Sequence, residues 1–390
     1  MDKLIKEAIG RYDQIFGKSD LYYWAQAPGR VNLIGEHTDY HKGYVMPFAI
    51  SLYCIAILVP NKNGLINIYS EDFSDTHSFS LKHNFIKNNN WTDRLEGLIR
   101  DIAKTAKMLE GFNIYIGGNL PIGKGLSSSA SSMAAVGSAT ARFYNINFEN
   151  ITFAYNLQKA EHLYGGVKCG IMDQLAVIMS QKDKAIIIDC ANLNIEYIPI
   201  PDNWKIVLID SGVKHELATS EYNKRQLECS EVLNLINKHN YHYTSLRDIN
   251  LLNLAQILTQ LDEKSFRRVF HVLTENDRVL QSIAALKNHN DKDISKHMLN
   301  SHLSLKYNYE VSAQELDFLV EQAYLQDGII GSRMTGAGFG GCTINIVDEN
   351  YSDSFIKKIK VTFETHYNRE LWIKEVSPVD GLNNGIYEHI

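Results

Sequence analysis

The chain has 390 residues, with 39 Lys and Arg against 45 Asp and Glu, for a formal net charge of −6. At roughly 150 residues per domain this is enough chain for two to three domains, which bury a core without disulfides or a structural metal. A weakly acidic chain with no long Lys/Arg run argues against nucleic acid and anionic membranes as partners. With 45% hydrophobic and 22% charged residues, disordered and fibrous classes are excluded too.

Residues 1–17 interrupt their apolar positions with charges every few residues. The pattern predicts an amphipathic helix rather than a signal peptide. Gly43 to Asn61 carries no charge, but Pro47, Ser51 and the β-branched run SLYCIAILV predict a buried strand rather than a membrane helix. Five scattered cysteines (Cys54, Cys169, Cys190, Cys229, Cys342) form no C-x-x-C pair. They exclude a disulfide framework and a thiolate zinc site and suit a reducing compartment, so a soluble cytoplasmic protein is expected.

Further strands are predicted at YYWAQAP, LINIYS, FNIYIGG and AIIIDC, with helices starting near Ser127 and Glu149 and a loop at Asn84–Asn90. Beyond Lys214 helical periodicity dominates, over Glu216–Lys238, Leu251–Leu261, Phe266–Asn288 and Gln314–Gln326, before the late strands CTINIV and LWIKEV. This order predicts two α+β domains, 1–200 and 201–390, divided near Pro199–Asn203, with the last strand free to return to the first domain.

Chemistry concentrates in glycine-rich segments. GNLPIGKG (Gly118–Gly125) fits G-x-x-x-x-G-K, but Gly125 follows where a Walker loop needs Ser or Thr. The small residues after it open a long helix, whose free N–H groups and positive dipole end suit phosphate; Ser127, Ser128 and Ser129 add hydroxyls for phosphate or magnesium. The competing reading is a tightly packed helix with a serine N-cap. GAGFGG (Gly336–Gly341) has Rossmann spacing, yet a helical pattern precedes it and a strand follows, the reverse of a dinucleotide fingerprint. APGRVNLIGEHTDYHKGYVMP (Ala27–Pro47) gathers Arg30, Glu36, His37, Asp39, Tyr40 and His41, a density of directional groups that suits a polyhydroxylated ligand. The His37/His41 spacing lacks the H-E-x-x-H order of a zinc helix. Glu161 falls on a helix, and Asp173 follows a turn holding Gly165, Gly166 and Gly170; by themselves both read as ordinary helix acids.

Together, in this order, GRVNLIGEHTDY, PIGKGLSSSAS, CGIMDQ, SEYNKRQLEC and RMTGAGFGGC resemble the galactokinases, within the GHMP group of small-molecule kinases. Lys124, where a small residue is usual, and HKG after TDY depart from the pattern. The resemblance implies an α+β fold: an N-terminal GHMP domain with a left-handed βαβ crossover, a ferredoxin-like C-terminal domain, and a cleft between them. It implies that Glu36, His37, Thr38, Asp39, Gly170 and Tyr222 bind the sugar, and that Asp173 and Arg30 serve the phosphoryl transfer. Ser70 and the loop Gly123, Lys124, Gly125, Leu126, Ser127, Ser128 and Ser129 would hold ATP, with Ser129 and Glu161 on Mg2+. A monomer acting on galactose and ATP is expected. The alternatives are a kinase for N-acetylgalactosamine or another galactose-like sugar, and a non-catalytic galactose/ATP sensor; the intact SSSAS and Asp173 favour the enzyme.

Overall fold

The computed structural model describes residues 2–213, 218–238, 241–249, 252, 257 and 261–389. The start of the helical region Glu216–Lys238 and most of Leu251–Leu261 lie outside the described residues.

The N-terminal half is built on a mixed sheet. Its strands are β1 (Leu21–Asn32), β3 (Pro47–Pro60), β4 (Ile66–Ser70), β5 (Asp75–Phe79), β6 (Phe112–Gly118) and, from the far end of the chain, β13 (Asn383–Glu388). Their order is β13-β1-β3-β6-β4-β5. β13 pairs antiparallel with β1, and the only parallel neighbours, β4 and β6, are joined through β5 and helix α2 (Asp93–Ala106). The uncharged run Gly43–Asn61 that could pass for a membrane span covers β2 and β3, and the middle of β3 is buried on both faces. Ala56 and Leu58 face α2 and α3 (Ser128–Phe143), whereas Ile55, Ile57 and Val59 face α1 (Lys3–Phe16). α3 is made of small residues (SSASSMAAVGSATARF), so it lies close against the sheet and its first turn sits at the end of β1. A small sheet, β2 (Tyr44–Val45), β7 (Lys184–Asp189) and β8 (Asn194–Pro199), flanks this half, together with α4 (Asn150–Ala160) and α5 (Met172–Met179).

The second sheet contains β9 (Trp204–Asp210), β10 (Ile329–Met334), β11 (Cys342–Asp348) and β12 (Ile373–Val376), all antiparallel, in the order β10-β11-β9-β12. Numbered along the chain this is 2-3-1-4, with helices between the first and second strands and between the third and fourth: the ferredoxin-like split βαβ. Helices α6 (Ala218–Asn237), α7 (Glu263–Lys287), α8 (Asp291–Ser304) and α9 (Gln314–Tyr324) fill the first connection, and α10 (Ser352–Tyr367) the second. The sequence reading put a helical pattern before Gly336–Gly341; the structure corrects this, because β10 ends at Met334 and the glycine loop is the turn of an antiparallel hairpin. The short IIGSRM run, with Gly331 and a charged Arg333, hides its strand character. The helices α2, α8 and α10 also escaped the periodicity reading.

The two halves share a core. Successive residues of β9 point opposite ways: Val207 and Ile209 pack on Leu319, Phe355 and Phe363, while Ile206 and Leu208 join Phe48, Ile50 and Leu52 of β3. Among the described residues no helix is long and apolar enough to cross a membrane.

Leu208 is fully buried in that shared cluster. Leu208→Ala should lower stability by about 2–5 kcal/mol, with both halves still unfolding in one transition when followed in urea by fluorescence and circular dichroism. Two separated transitions in the parent protein would contradict a shared core.

Candidate active site

Arg30, near the end of β1, is 4% exposed. Its Nε donates to Asp173 Oδ1 at 2.7 Å and its Nη1 to the Gly125 carbonyl at 2.8 Å. Burial opposes its charge, but Asp173, Glu36 and Asp39 around it outweigh that and raise its pKa above the ordinary value. The other Asp173 oxygen, Oδ2, accepts from Ser127 Oγ at 2.6 Å. Ser127 does stand at the N-cap of α3, but with φ +58° its hydroxyl makes no cap bond and serves Asp173 instead. Asp173 lies in the first turn of α5, so strand, glycine loop and helix converge on one carboxylate.

The signature turn is held rigidly by the C-terminal half. Glu36 Oε1 accepts from Gly336 N–H (2.8 Å) and Thr335 Oγ1 (3.2 Å), with Arg333 at 3.4 Å. Its own N–H, with that of Gly35, donates to Glu275 Oε1, and its carbonyl accepts from His271 Nε2 at 3.1 Å. His37 uses both ring nitrogens on protein: Nε2–H donates to the Ala337 carbonyl at 3.0 Å and Nδ1 accepts from Tyr40 Oη at 2.6 Å. Burial first, then the neighbouring His271, lowers its pKa to about 3, so the ring is neutral. The Thr38 hydroxyl is shared between the Gly35 and Tyr44 carbonyls and is fully buried. These two side chains therefore hold the turn in this geometry rather than present free groups.

Asp39 is the exception. Its Oδ2 receives the Met172 N–H at 3.4 Å, and its pKa is raised to about 7, mainly by burial and then by the like charge of Asp173. Gly170 leaves the space for it, since a Cβ there would lie 2.0 Å from Asp39 Oδ2. The Tyr222 ring, on α6, packs against His37 and Tyr40 at 5.5 Å from each.

On the other side of the serine-rich helix start lies a pocket lined by Ser70, Ser128 and Ser132, with Phe73 stacked on Trp91 at 5.0 Å and Arg94 beside them. Arg94 Nη1 is 3.7 Å from Glu161 Oε1. Glu161 is 4% exposed, just after α4; its Oε2 is buried and accepts no hydrogen bond among the described residues, and burial, ahead of the opposing pull of Arg94, raises its pKa. Leu126 is buried, and its carbonyl accepts from Arg30 N–H. Ser129 lies in the first turn of α3, and Gly123 at the open tip of the loop. Lys124 pairs with Asp210 across the cleft. Sequence reasoning missed Phe73, Trp91, Arg94, Glu275 and Arg333. Lone aromatics in the otherwise polar stretches EDFSD and NNNW were the available signal for the first two; nothing local marks Glu275.

Known proteins carry the same combination. The galactokinase galactose-binding signature matches residues 10–60, the GHMP kinase N-terminal domain residues 93–181, and the GHMP kinase C-terminal domain residues 282–364. A galactokinase of Thermosipho africanus is 38% identical, with 92% of this chain and 98% of that protein covered. A galactokinase of Clostridium perfringens is 39% identical over 88% of this chain and 90% of its own length. The structure of Lactococcus lactis galactokinase complexed with galactose superposes with a TM-score of 0.92 at 30% identity, covering 98% of this chain and all of that one. With these three family models matching along the chain and galactokinases 38% and 39% identical over most of its length, the chain belongs to the galactokinase family of GHMP kinases.

Proposed function

We propose that the chain transfers the γ-phosphoryl group of ATP to the anomeric hydroxyl of D-galactose, releasing galactose 1-phosphate and ADP. The observation that carries this reading is Asp173, gripped by Arg30 and Ser127 at the junction of the phosphate loop and the sugar-binding turn. The likeness to a galactokinase solved with galactose supports the choice of sugar.

Phosphoryl transfer needs positioning and charge neutralisation more than covalent chemistry. The loop Gly123–Ser129 would receive the phosphates on free N–H groups at the start of α3. Asp39 accepts sugar hydroxyls. The protein bonds of the Glu36 side chain all fall on Oε1, which leaves Oε2 for another. Tyr222 closes the sugar side. Asp173 takes the proton of the attacking anomeric hydroxyl, and Arg30 faces the charge that builds on the phosphoryl oxygens; among the described residues, neither of the two hydrogen bonds of its side chain uses Nη2.

The unpartnered, buried Oε2 of Glu161 fits a hard divalent cation, and a carboxylate with one hydroxyl suffices where ATP and water supply the remaining oxygens. Glu161 and Ser129 would hold Mg2+, which neutralises phosphate charge when bound.

In a coupled ADP-release assay, galactose should exceed glucose in kcat/KM by at least tenfold to a hundredfold, because an inverted hydroxyl strands a buried polar partner worth about 1–3 kcal/mol. Equal values for both sugars would defeat the assignment, and a preference for N-acetylgalactosamine would replace it.

Asp173→Asn should cut the single-turnover rate by about 10²–10⁴, while calorimetry still detects galactose binding. Near-normal turnover would mean Asp173 is not the base, and lost binding would make it a sugar-holding residue.

The raised pKa of Asp39 gives a pH signature. Its acceptor form is the ionised one, so protonation below about 7 removes an acceptor. The KM for galactose should fall as pH rises towards 7 and flatten above it, and Asp39→Asn should abolish that dependence. A parent profile flat from pH 5.5 to 8 would show that Asp39 does not titrate in binding.

A further inference from the structure

The phosphate loop is tied down from two directions, and one of the ties has no role in the reading above. At its C-terminal end the Gly125 and Leu126 carbonyls are held by Arg30. At its tip, the Lys124 ammonium crosses to the C-terminal half and pairs with Asp210, the last residue of β9. The Lys124 and Asp210 side chains are only 22% and 11% exposed, so water screens the pair weakly. The ammonium also lies 4.9 Å from the centre of the Trp372 ring, within cation–π range.

Asp210 is itself fixed: its N–H donates to the Trp372 carbonyl at 3.0 Å, and its Oδ1 accepts from Gly212 N–H at 3.1 Å. Next to it, Ser211 N–H donates to the Gly341 carbonyl at 2.8 Å, in the glycine loop that also clamps Glu36. Lys124 stands between Gly123 (φ +78°) and Gly125 (φ +74°), conformations that deny the tip a backbone preference of its own. Apart from Gly123 and its two chain neighbours, no atom of the described residues lies within 4 Å of where a Cβ on Gly123 would be. The side chain of Lys124 is therefore the anchor that ties this glycine-flanked tip to the opposite half.

We infer that Lys124 is a positioning residue for nucleotide binding: paired with Asp210 and seated on Trp372, it pre-orders the phosphate loop across the cleft rather than contacting phosphate itself. The inference rests on the reading of Gly123–Ser129 as the phosphate loop. Ordering a flexible loop before the ligand arrives removes an entropic cost of binding. The charge of Lys124 is already answered by Asp210, which is why the role is structural pre-ordering and not phosphate neutralisation.

The two roles separate when Asp210 is changed. If the clasp positions the loop, Lys124→Met and Asp210→Asn should each raise the KM for ATP by about three- to tenfold. The double variant should be no worse than either single one, Asp210→Glu should recover most of the loss, and galactose affinity by calorimetry should stay at the parent value. A merely folding-related effect would instead lower galactose affinity and thermal stability together. If Lys124→Met raises the KM for ATP while Asp210→Asn leaves it unchanged or lowers it, Lys124 is a direct phosphate ligand and the clasp is overturned. It is equally overturned if neither variant moves the KM. Should Asp210→Asn not fold, Lys124→Met measured beside Asp210→Glu carries the same comparison. Gly125→Val serves as a control on the loop itself: unchanged nucleotide affinity there would bring down both readings, whereas affinity lost there but kept in the Lys124 and Asp210 variants would bring down the clasp alone.

Discussion

A buried cation cannot stand alone. Arg30 sits almost wholly inside the protein, and removing a single partner from such a pair costs about 3–5 kcal/mol, so the surrounding chain must deliver an acceptor to each side of it. Asp173 arrives on the first turn of α5 and Gly125 on the loop before α3. Meeting that demand fixes where the Gly123–Ser129 loop and the Asp173 carboxylate, proposed above to bind phosphate and to take the proton, lie relative to β1. The same contacts place Ser127, at the start of α3, on Asp173. On the proposed mechanism, stability and catalysis use one interaction.

A second convergence secures the turn around Glu36. Every polar group of the Glu36 backbone and one oxygen of its side chain are engaged by residues from the C-terminal half: Glu275 and His271 on α7, and Thr335 and Gly336 beyond β10. His37 adds a third tie to Ala337. The signature turn is therefore set by the domain opposite to the one that encodes it, and the shared apolar cluster under β9 keeps the two halves in register. Asp39, in contrast, is held chiefly by backbone N–H groups and by the space left at Gly170, which suits the role of hydroxyl acceptor proposed for it.

Those distinctions show what a sequence can and cannot display. The uncharged β3 run, the small-residue helix α3 and the order of the glycine segments are local patterns, and they led to the strands, the phosphate loop and the family resemblance. Arg333 was unreadable because a charged residue in a six-residue strand looks solvated, yet it is completely buried under Glu36. Glu275 was unreadable because its partners, Gly35 and Glu36, lie some 240 residues earlier. The hydroxyl of Ser127 looked like a cap, and only its left-handed backbone turns it towards Asp173. The motif identified His37 and Thr38 as part of the site, but the donors and acceptors around them show that they hold the turn.

On the proposed mechanism, galactose and ATP meet over the Arg30–Asp173 pair. A crystal structure of the protein with galactose, Mg2+ and a non-hydrolysable ATP analogue tests it most directly. The account predicts the anomeric oxygen within about 2.6–3.2 Å of an Asp173 carboxylate oxygen, the terminal phosphate against Arg30, and the remaining phosphates along Gly123–Ser129. An anomeric hydroxyl turned away from Asp173, or phosphates bound off that loop, would contradict it.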